Sequence, residues 1–293
     1  MKNYLYYIYW LYRTLPLRWS FPKYKIMTID ETITDIIINK KSISRFGDGE
    51  FLLLFKTQDL KFQKQNILLE SKLTEVLNNR NPTFLVALPD GLTNTKSHRR
   101  FAKVYWLLFI NTHGKKLSKL LDVTYRYGNA NMTRPYIIMN NQSKSKIYFD
   151  KIKTLWQDKD VLVIEGNLSR LGVGNDLFQN VKSLKRILCP NKNAFEKYEE
   201  IKSAAIKFGA NKLVLFSLGP TATVLCSELC NVGFWAIDIG HIDVEYMWML
   251  MGAKTRTAIK GRYVNESDNS EGYEMEPEFV ASYKKSIILD LSL

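Results

Sequence analysis

Two carboxylates stand two residues apart, Asp48 and Glu50, inside "SRFGDGEFLLLF" (44–55). In an extended segment residues i and i+2 share a face, so the two side chains would project together. Neighbouring carboxylates repel unless a proton or a cation lies between them. Hard oxygen ligands of this kind suit Mg2+ or Mn2+, which take one or two carboxylates and complete their shell with substrate phosphates. Gly47 and Gly49 would let the backbone approach a ligand closely. The competing reading is a charged turn, for which Gly-Asp-Gly is good chemistry.

Three later stretches carry groups suited to an anionic ligand. "EGNLSRLGVGNDLF" (165–178) reads as a loop that follows a strand and opens a helix. Its glycines would admit backbone N–H groups to an anion, the helix N-terminus would add partial positive charge, and Arg170 can pair with phosphate. It is not a dinucleotide fingerprint. Gly172 and Gly174 match the first two positions of GxGxxG, but the third falls on Leu177, and the next strand ends Leu188-Cys189-Pro190 with no acid for a ribose. The lysine of a P-loop is also missing. An ordinary tight loop is the alternative. "SLGPTAT" (217–223) is a smaller version, with Gly219, Pro220, Thr221 and Thr223 at a helix start. "DIGHIDVEY" (238–246) gathers Asp238, His241, Asp243 and Glu245 just past a strand. If it is extended, His241, Asp243 and Glu245 face one way and could bind a metal, act as a base or hold sugar hydroxyls. A polar loop capping the next helix would look similar.

The elements that must position these groups are clearest in the second half. Apolar runs at 160–166, 185–190, 212–219 and 234–240 read as buried strands. Helical stretches around 175–184, 194–208 and 220–232 alternate with them. Continuous apolar strands separated by helices imply a parallel sheet covered on both faces. In the first half, 44–55 and 82–89 read as strands and 66–78 and 96–110 as helices. The expected architecture is one α/β, Rossmann-like domain over residues 28–293, preceded by an aromatic and basic segment, 1–27. Ligands in such sheets bind beyond the carboxyl ends of the strands. The loops 166–176, 219–223 and 239–245 stand there.

The chain has 293 residues, 46% of them hydrophobic, enough for a large core. Its net charge of +13 suits an anionic partner such as a nucleotide, a nucleic acid or an anionic membrane, or simply a solvated basic surface. Lys and Arg are spread along the chain and no nucleic-acid-reading motif is present, which argues against a specific nucleic-acid function. Cys189, Cys226 and Cys230 lie in or beside apolar runs without a CxxC pair, as expected of buried thiols in a reducing cytosol. "MKNYLYYIYWLYRTLPLRW" lacks the pattern of a secretory signal and is too short to span a bilayer. Its Tyr, Trp and Arg content suits a helix lying on the inner membrane face, or one packed on the protein body or in a homodimer.

Taken together, "SRFGDGEF", "ALPDGL" (87–92), "EGNLSRLGVGNDLF", "SLGPTATVL" and "GHIDVEYMWMLMGA" resemble, in order, the GT-D-type bacterial glycosyltransferases over residues 30–265. That resemblance implies a Rossmann-like fold, a D-x-E metal motif on Asp48 and Glu50 binding Mn2+ or Mg2+, and hexose transfer from a UDP-sugar to a lipid-linked or protein-linked glycan acceptor. The setting implied is exopolysaccharide or surface-glycoprotein synthesis. The residues themselves, read as loops suited to a pyrophosphate, place the expected nucleotide contacts on Arg45, Gly47, Gly166, Arg170, Gly172, Gly174, Asn175, Asp176, Gly219, Pro220 and Thr221. For an inverting reaction the base would be Asp243, with His241 and Glu245 as rivals, and Asp90 would be an outside candidate or a sugar-hydroxyl ligand. A non-catalytic sugar-nucleotide-binding partner of another transferase is the alternative.

Overall fold

β-Branched and other apolar residues run together in the longer strands of the second half and at Phe84–Leu88. The computed structural model describes residues 2–268 and 271–293, side chains of 2–4 and 16–18 excepted. The strands are β1 (Lys25–Ile26), β2 (Ser42–Arg45), β3 (Phe84–Leu88), β4 (Arg126–Asn129), β5 (Asp160–Gly166), β6 (Ser183–Cys189), β7 (Leu213–Ser217), β8 (Trp235–Asp238) and β9 (Ile287–Asp290). The helices are α1 (Lys2–Arg13), α2 (Leu15–Ser20), α3 (Ile29–Asn39), α4 (Asp48–Leu54), α5 (Ile67–Asn78), α6 (Arg100–Leu120), α7 (Ser145–Lys153), α8 (Tyr198–Gly209), α9 (Pro220–Asn231), α10 (Ile242–Leu250) and α11 (Pro277–Ser286).

All nine strands pair in parallel, in the order β1-β4-β3-β2-β8-β7-β5-β6-β9. β3 and the Val161–Gly166 run of β5 are buried along their length, as parallel strands covered on both faces must be. One core layer holds Phe51, Phe109, Tyr198 and Leu225. The other holds Ile33, Phe149, Trp156, Ile242 and Trp248. The sheet begins at β1, so the aromatic segment 1–27 supplies an edge strand as well as α1 and α2, which pack on α6.

The alternation expected of the second half is present in β5, β6, α8, β7, α9 and β8, and three local expectations are corrected. First, the strand from Ser44 stops at Arg45, and α4 begins at Asp48. Gly47 is the N-cap, and the Glu50 side chain turns back to accept from its N–H at 2.7 Å. Acidic groups in a first turn also suit the helix dipole. Asp48 and Glu50 are therefore helical neighbours that do not share a face. Second, residues 175–184 are not helical. Asn175 Oδ1 accepts from Leu177 N at 3.0 Å, an Asx turn, and Trp156 Nε1 donates to Leu177 O at 2.9 Å. Third, residues 242–246 are the first turns of α10, so Asp243 and Glu245 leave the helix in different directions.

Candidate active site

β2 and β8 meet at the middle of the sheet, joined at Ile43 and Ile237. Beyond their carboxyl ends the chain leaves in opposite senses. α4 sends Phe51 and Leu53 into one core layer, and α10 sends Ile242 and Trp248 into the other. A crevice opens at such a switch in direction, where ligands bind in open α/β sheets.

Arg45 bridges the two strands at the floor. Its Nη2 lies 2.8 Å from Asp238 Oδ1, its Nε donates to Asp238 O at 2.9 Å, and its backbone N donates to Asp238 Oδ2 at 3.2 Å. The guanidinium occupies the space that a Cβ on Gly240 would need, and Gly240 has a φ of 40°. Hence only glycine lets the chain turn there without displacing Arg45. Thr223 Oγ1 donates to Arg45 O at 3.0 Å, and Ser217 Oγ donates to Gly240 O at 2.9 Å, so the end of β7 and the start of α9 support the same floor.

On the α4 side Asp48 is exposed and Glu50 is turned inward. Burial pushes the Glu50 carboxyl up to about 7 against the Gly47 hydrogen bond, and the nearby Asp238 adds to the rise. Tyr105, from α6, donates to Asp48 Oδ2 at 2.5 Å, and its own phenol is raised by burial and by that carboxylate. The opposite lip is a chain of charges. Arg134 lies 2.8 Å from Glu266 and 3.3 Å from Glu245, and Arg256 lies 2.9 Å from Glu266. Burial opposes ionisation of Glu266, yet Arg134, His241 and Arg256 hold it down to about 2. His241 is lowered by burial and by Arg134, and its Nε2 lies 2.8 Å from Asn265 Oδ1.

The expected bases fare differently. Asp243 is fully buried, accepts from Gly172 N and Asn175 Nδ2 at 2.8 Å each, and is ion-paired with Arg262. A carboxylate so enclosed cannot reach an acceptor, so Asp243 is withdrawn as the base. Glu245 is likewise buried, accepting from Tyr136 N at 3.1 Å and Ile137 N at 2.9 Å beside Arg134, and is withdrawn too. His241, half-buried at the start of α10, remains at the crevice.

The phosphate cradle expected at 166–176 is also corrected. It opens no helix, and its donors are turned inward on Asp243. Arg170 Nη1 donates to Gly261 O and Tyr273 O, each at 2.5 Å. Gly174 faces the Phe279 ring, and Gly166 continues the β5–β6 pairing opposite Cys189. Asp176 lies 2.7 Å from Lys153 and 2.6 Å from Tyr246 Oη. These contacts fasten α10 and the 255–276 loop to the body.

By contrast, the 219–223 loop stays beside the crevice. Gly219, with a φ of 54°, faces the Phe62 ring, Pro220 opens α9, and the buried Thr221 Oγ1 has no hydrogen-bond partner among the described residues. Asp90, past β3, is held by Asn131 Nδ2 at 2.6 Å and His98 Nε2 at 2.8 Å. Tyr105, Arg134, Arg256, Asn265 and Glu266 also line the crevice, beyond the residues expected from the sequence. They come from α6 and from loops, and no local pattern marks them. A different hollow, of about 650 Å³, lies at the amino ends of the strands, where Lys41, Arg80 and Arg126 are already paired with Asp35, Asp122 and Glu31.

Among the described residues no three His, Cys, Asp or Glu side chains form a ready-made metal cage. An ion of the Mg2+ or Mn2+ kind does not require one, since it retains waters and shares ligands with phosphates. Asp48 fits that chemistry as an exposed carboxylate at the crevice. Glu50 keeps Oε2 on Gly47 N, which supports the turn that presents Asp48, and has Oε1 as its second oxygen.

The family model of the glycosyltransferase GT-D fold matches residues 43–267. A Streptococcus gordonii protein named "Probable glycosyl transferase Gly" is 35% identical over 270 residues, and the glycosyltransferase GlyD of Streptococcus pneumoniae serotype 4 is 34% identical over 267. The aligned regions are 91% and 90% of this chain but 39% and 32% of those two proteins, so the chain spans only about a third of their length. Among solved structures, a domain of unknown function 1792 described as having a distinct glycosyltransferase fold is 35% identical with a TM-score of 0.89, covering 95% of this chain and 99% of that one. A glycosyltransferase from Streptococcus sanguinis is 34% identical with a TM-score of 0.86, covering 92% and 100%. On the family match and on these near full-length structural likenesses, the chain belongs to the glycosyltransferases of the GT-D fold.

Proposed function

We propose that the chain transfers a hexose from a UDP-sugar to a hydroxyl of a glycan acceptor, with the donor diphosphate seated in the β2–β8 crevice. The observation that carries this reading is Asp48, held at the lip of the crevice by the first turn of α4 and by Tyr105. A divalent ion of the Mg2+ or Mn2+ class, held by Asp48, would neutralise charge on the departing diphosphate.

The remaining roles fall to the chain's own side chains. Arg45 and Asp238 fix the floor. Because the Asn265 amide oxygen can only accept, His241 Nε2 carries the hydrogen and Nδ1 the lone pair. In a direct displacement the acceptor oxygen bonds the anomeric carbon, the bond from that carbon to the UDP oxygen breaks with its electron pair on UDP, and the hydroxyl proton goes to His241 Nδ1. Glu266 is too strongly stabilised as an anion by two arginines to compete as a base.

The test is UDP release from UDP-glucose, UDP-galactose and UDP-N-acetylhexosamines with Mn2+ and a glycan acceptor. Turnover should disappear in EDTA and fall by on the order of 100-fold or more in Asp48→Ala, with the melting temperature unchanged. Metal-independent turnover, or an Asp48→Ala variant as active as the parent, would refute the proposal.

A further inference from the structure

α1 carries two apolar stripes at helical spacing. Tyr7, Trp10, Leu11 and Thr14 turn toward the body, with Thr14 buried, and α1 packs on α6. Leu5, Ile8, Tyr9 and Tyr12, spaced i, i+3, i+4 and i+7, face outward. Tyr12 is 78% exposed, and Trp19, in the adjoining α2, is 82% exposed. A helix that is apolar on both sides ordinarily has both sides covered. Among the described residues nothing covers the outer one.

The charge around this face indicates what does. Residues 1–29 contain five Lys or Arg and no Asp or Glu. α6, the helix on which α1 and α2 rest, contains another five and again no Asp or Glu. Exposed Tyr and Trp among aliphatic and basic residues match the headgroup region of an anionic leaflet, where rings sit at the interface and cations meet lipid charge. No helix among the described residues is long and apolar enough to cross a membrane, so the match is to a helix lying on the surface.

We propose that the outer face of α1 and α2, flanked by the basic α6, docks on an anionic lipid bilayer. The proposal stands on this surface alone and does not depend on the reaction proposed above. If that reaction holds, docking also brings the crevice toward a lipid-borne acceptor. α6 runs from Gly114, under Phe21, to Tyr105 at the crevice, nine residues or about 14 Å along the helix.

The experiment is flotation of the full chain with phosphatidylcholine vesicles, with and without phosphatidylglycerol. The chain should float only with the anionic vesicles, and release as salt rises. Ile8→Ser/Tyr12→Ser/Trp19→Ser should weaken flotation by on the order of tenfold or more, as should Lys115→Glu/Lys119→Glu. Should the triple variant not fold, brominated lipids provide a second readout. They should quench the parent's fluorescence and quench Trp19→Phe markedly less. Asp48→Ala should float like the parent, which separates this proposal from the catalytic one. Several results would overturn the proposal. These are absence of flotation, equal flotation on neutral vesicles, unchanged binding in folded face variants, and a concentration-dependent dimer that the triple variant dissolves, since a second copy would then cover the face.

Discussion

Asp48 and Glu50 are adjacent acids with unequal duties. Asp48 reaches solvent and Tyr105, whereas Glu50 closes the turn on Gly47. Glu50→Gln keeps an acceptor for that N–H and is expected to retain activity within about tenfold, while Asp48→Asn loses on the order of 100-fold; initial rates at saturating donor distinguish them. Asp243 serves the fold. Asp243→Ala strands the buried Arg262 and should cost roughly 3–5 kcal/mol, read as a shift in the urea midpoint. In the proposed reaction His241 acts as the neutral ring. Burial lowers its pKa, so kcat/KM should be flat near neutrality and fall only on the acid side, below the ordinary histidine value of about 6.5. His241→Gln should lower the plateau and remove that limb from the pH–rate profile.

At the scale of elements, β5, β7 and β8 could be read directly from the chain because their apolar runs are continuous and end at glycine or at a polar residue. α4 and α10 could not. Each is short, follows a strand with only a brief turn, and starts with acids that suit a turn as well as a helix. What decides the matter is tertiary. Arg45 must meet Asp238, which forces the chain to bend at Gly240. The 166–176 loop differs from its expected role for a related reason. Its N–H groups do hold an anion, but the anion is the protein's own Asp243, 71 residues from Gly172. Composition cannot distinguish a loop that waits for phosphate from one already satisfied by a distant carboxylate. Gly240→Ala should displace Arg45 and place a side chain in left-handed backbone, costing about 2 kcal/mol or more with a clear loss of donor affinity. Calorimetric UDP titration beside a thermal melt would separate the two effects.

For the molecule as a whole, protection follows enclosure by the two core layers. β3, β5 and β7 are enclosed by both core layers, while α1 presents one face to solvent. Amide exchange should therefore be slowest in those three strands and fastest in α1 and α2, by orders of magnitude, when followed by mass spectrometry. Family and parallel architecture were legible because long-range order repeats a simple alternation. The charged lip was not, because Tyr105 reaches it from α6 and Arg134 and Glu266 from two separate loops.

The seam between β2 and β8 joins positions far apart in the chain: Ser42 Oγ donates to Phe234 O and accepts from Ala236 N, 192 and 194 residues away. During synthesis, then, Asp48 leaves the ribosome long before the wall it must face. A nascent polypeptide halted short of residue 235 has Asp48 and Arg45 but not the Asp238 that completes the floor, so the crevice is assembled only when translation is well advanced.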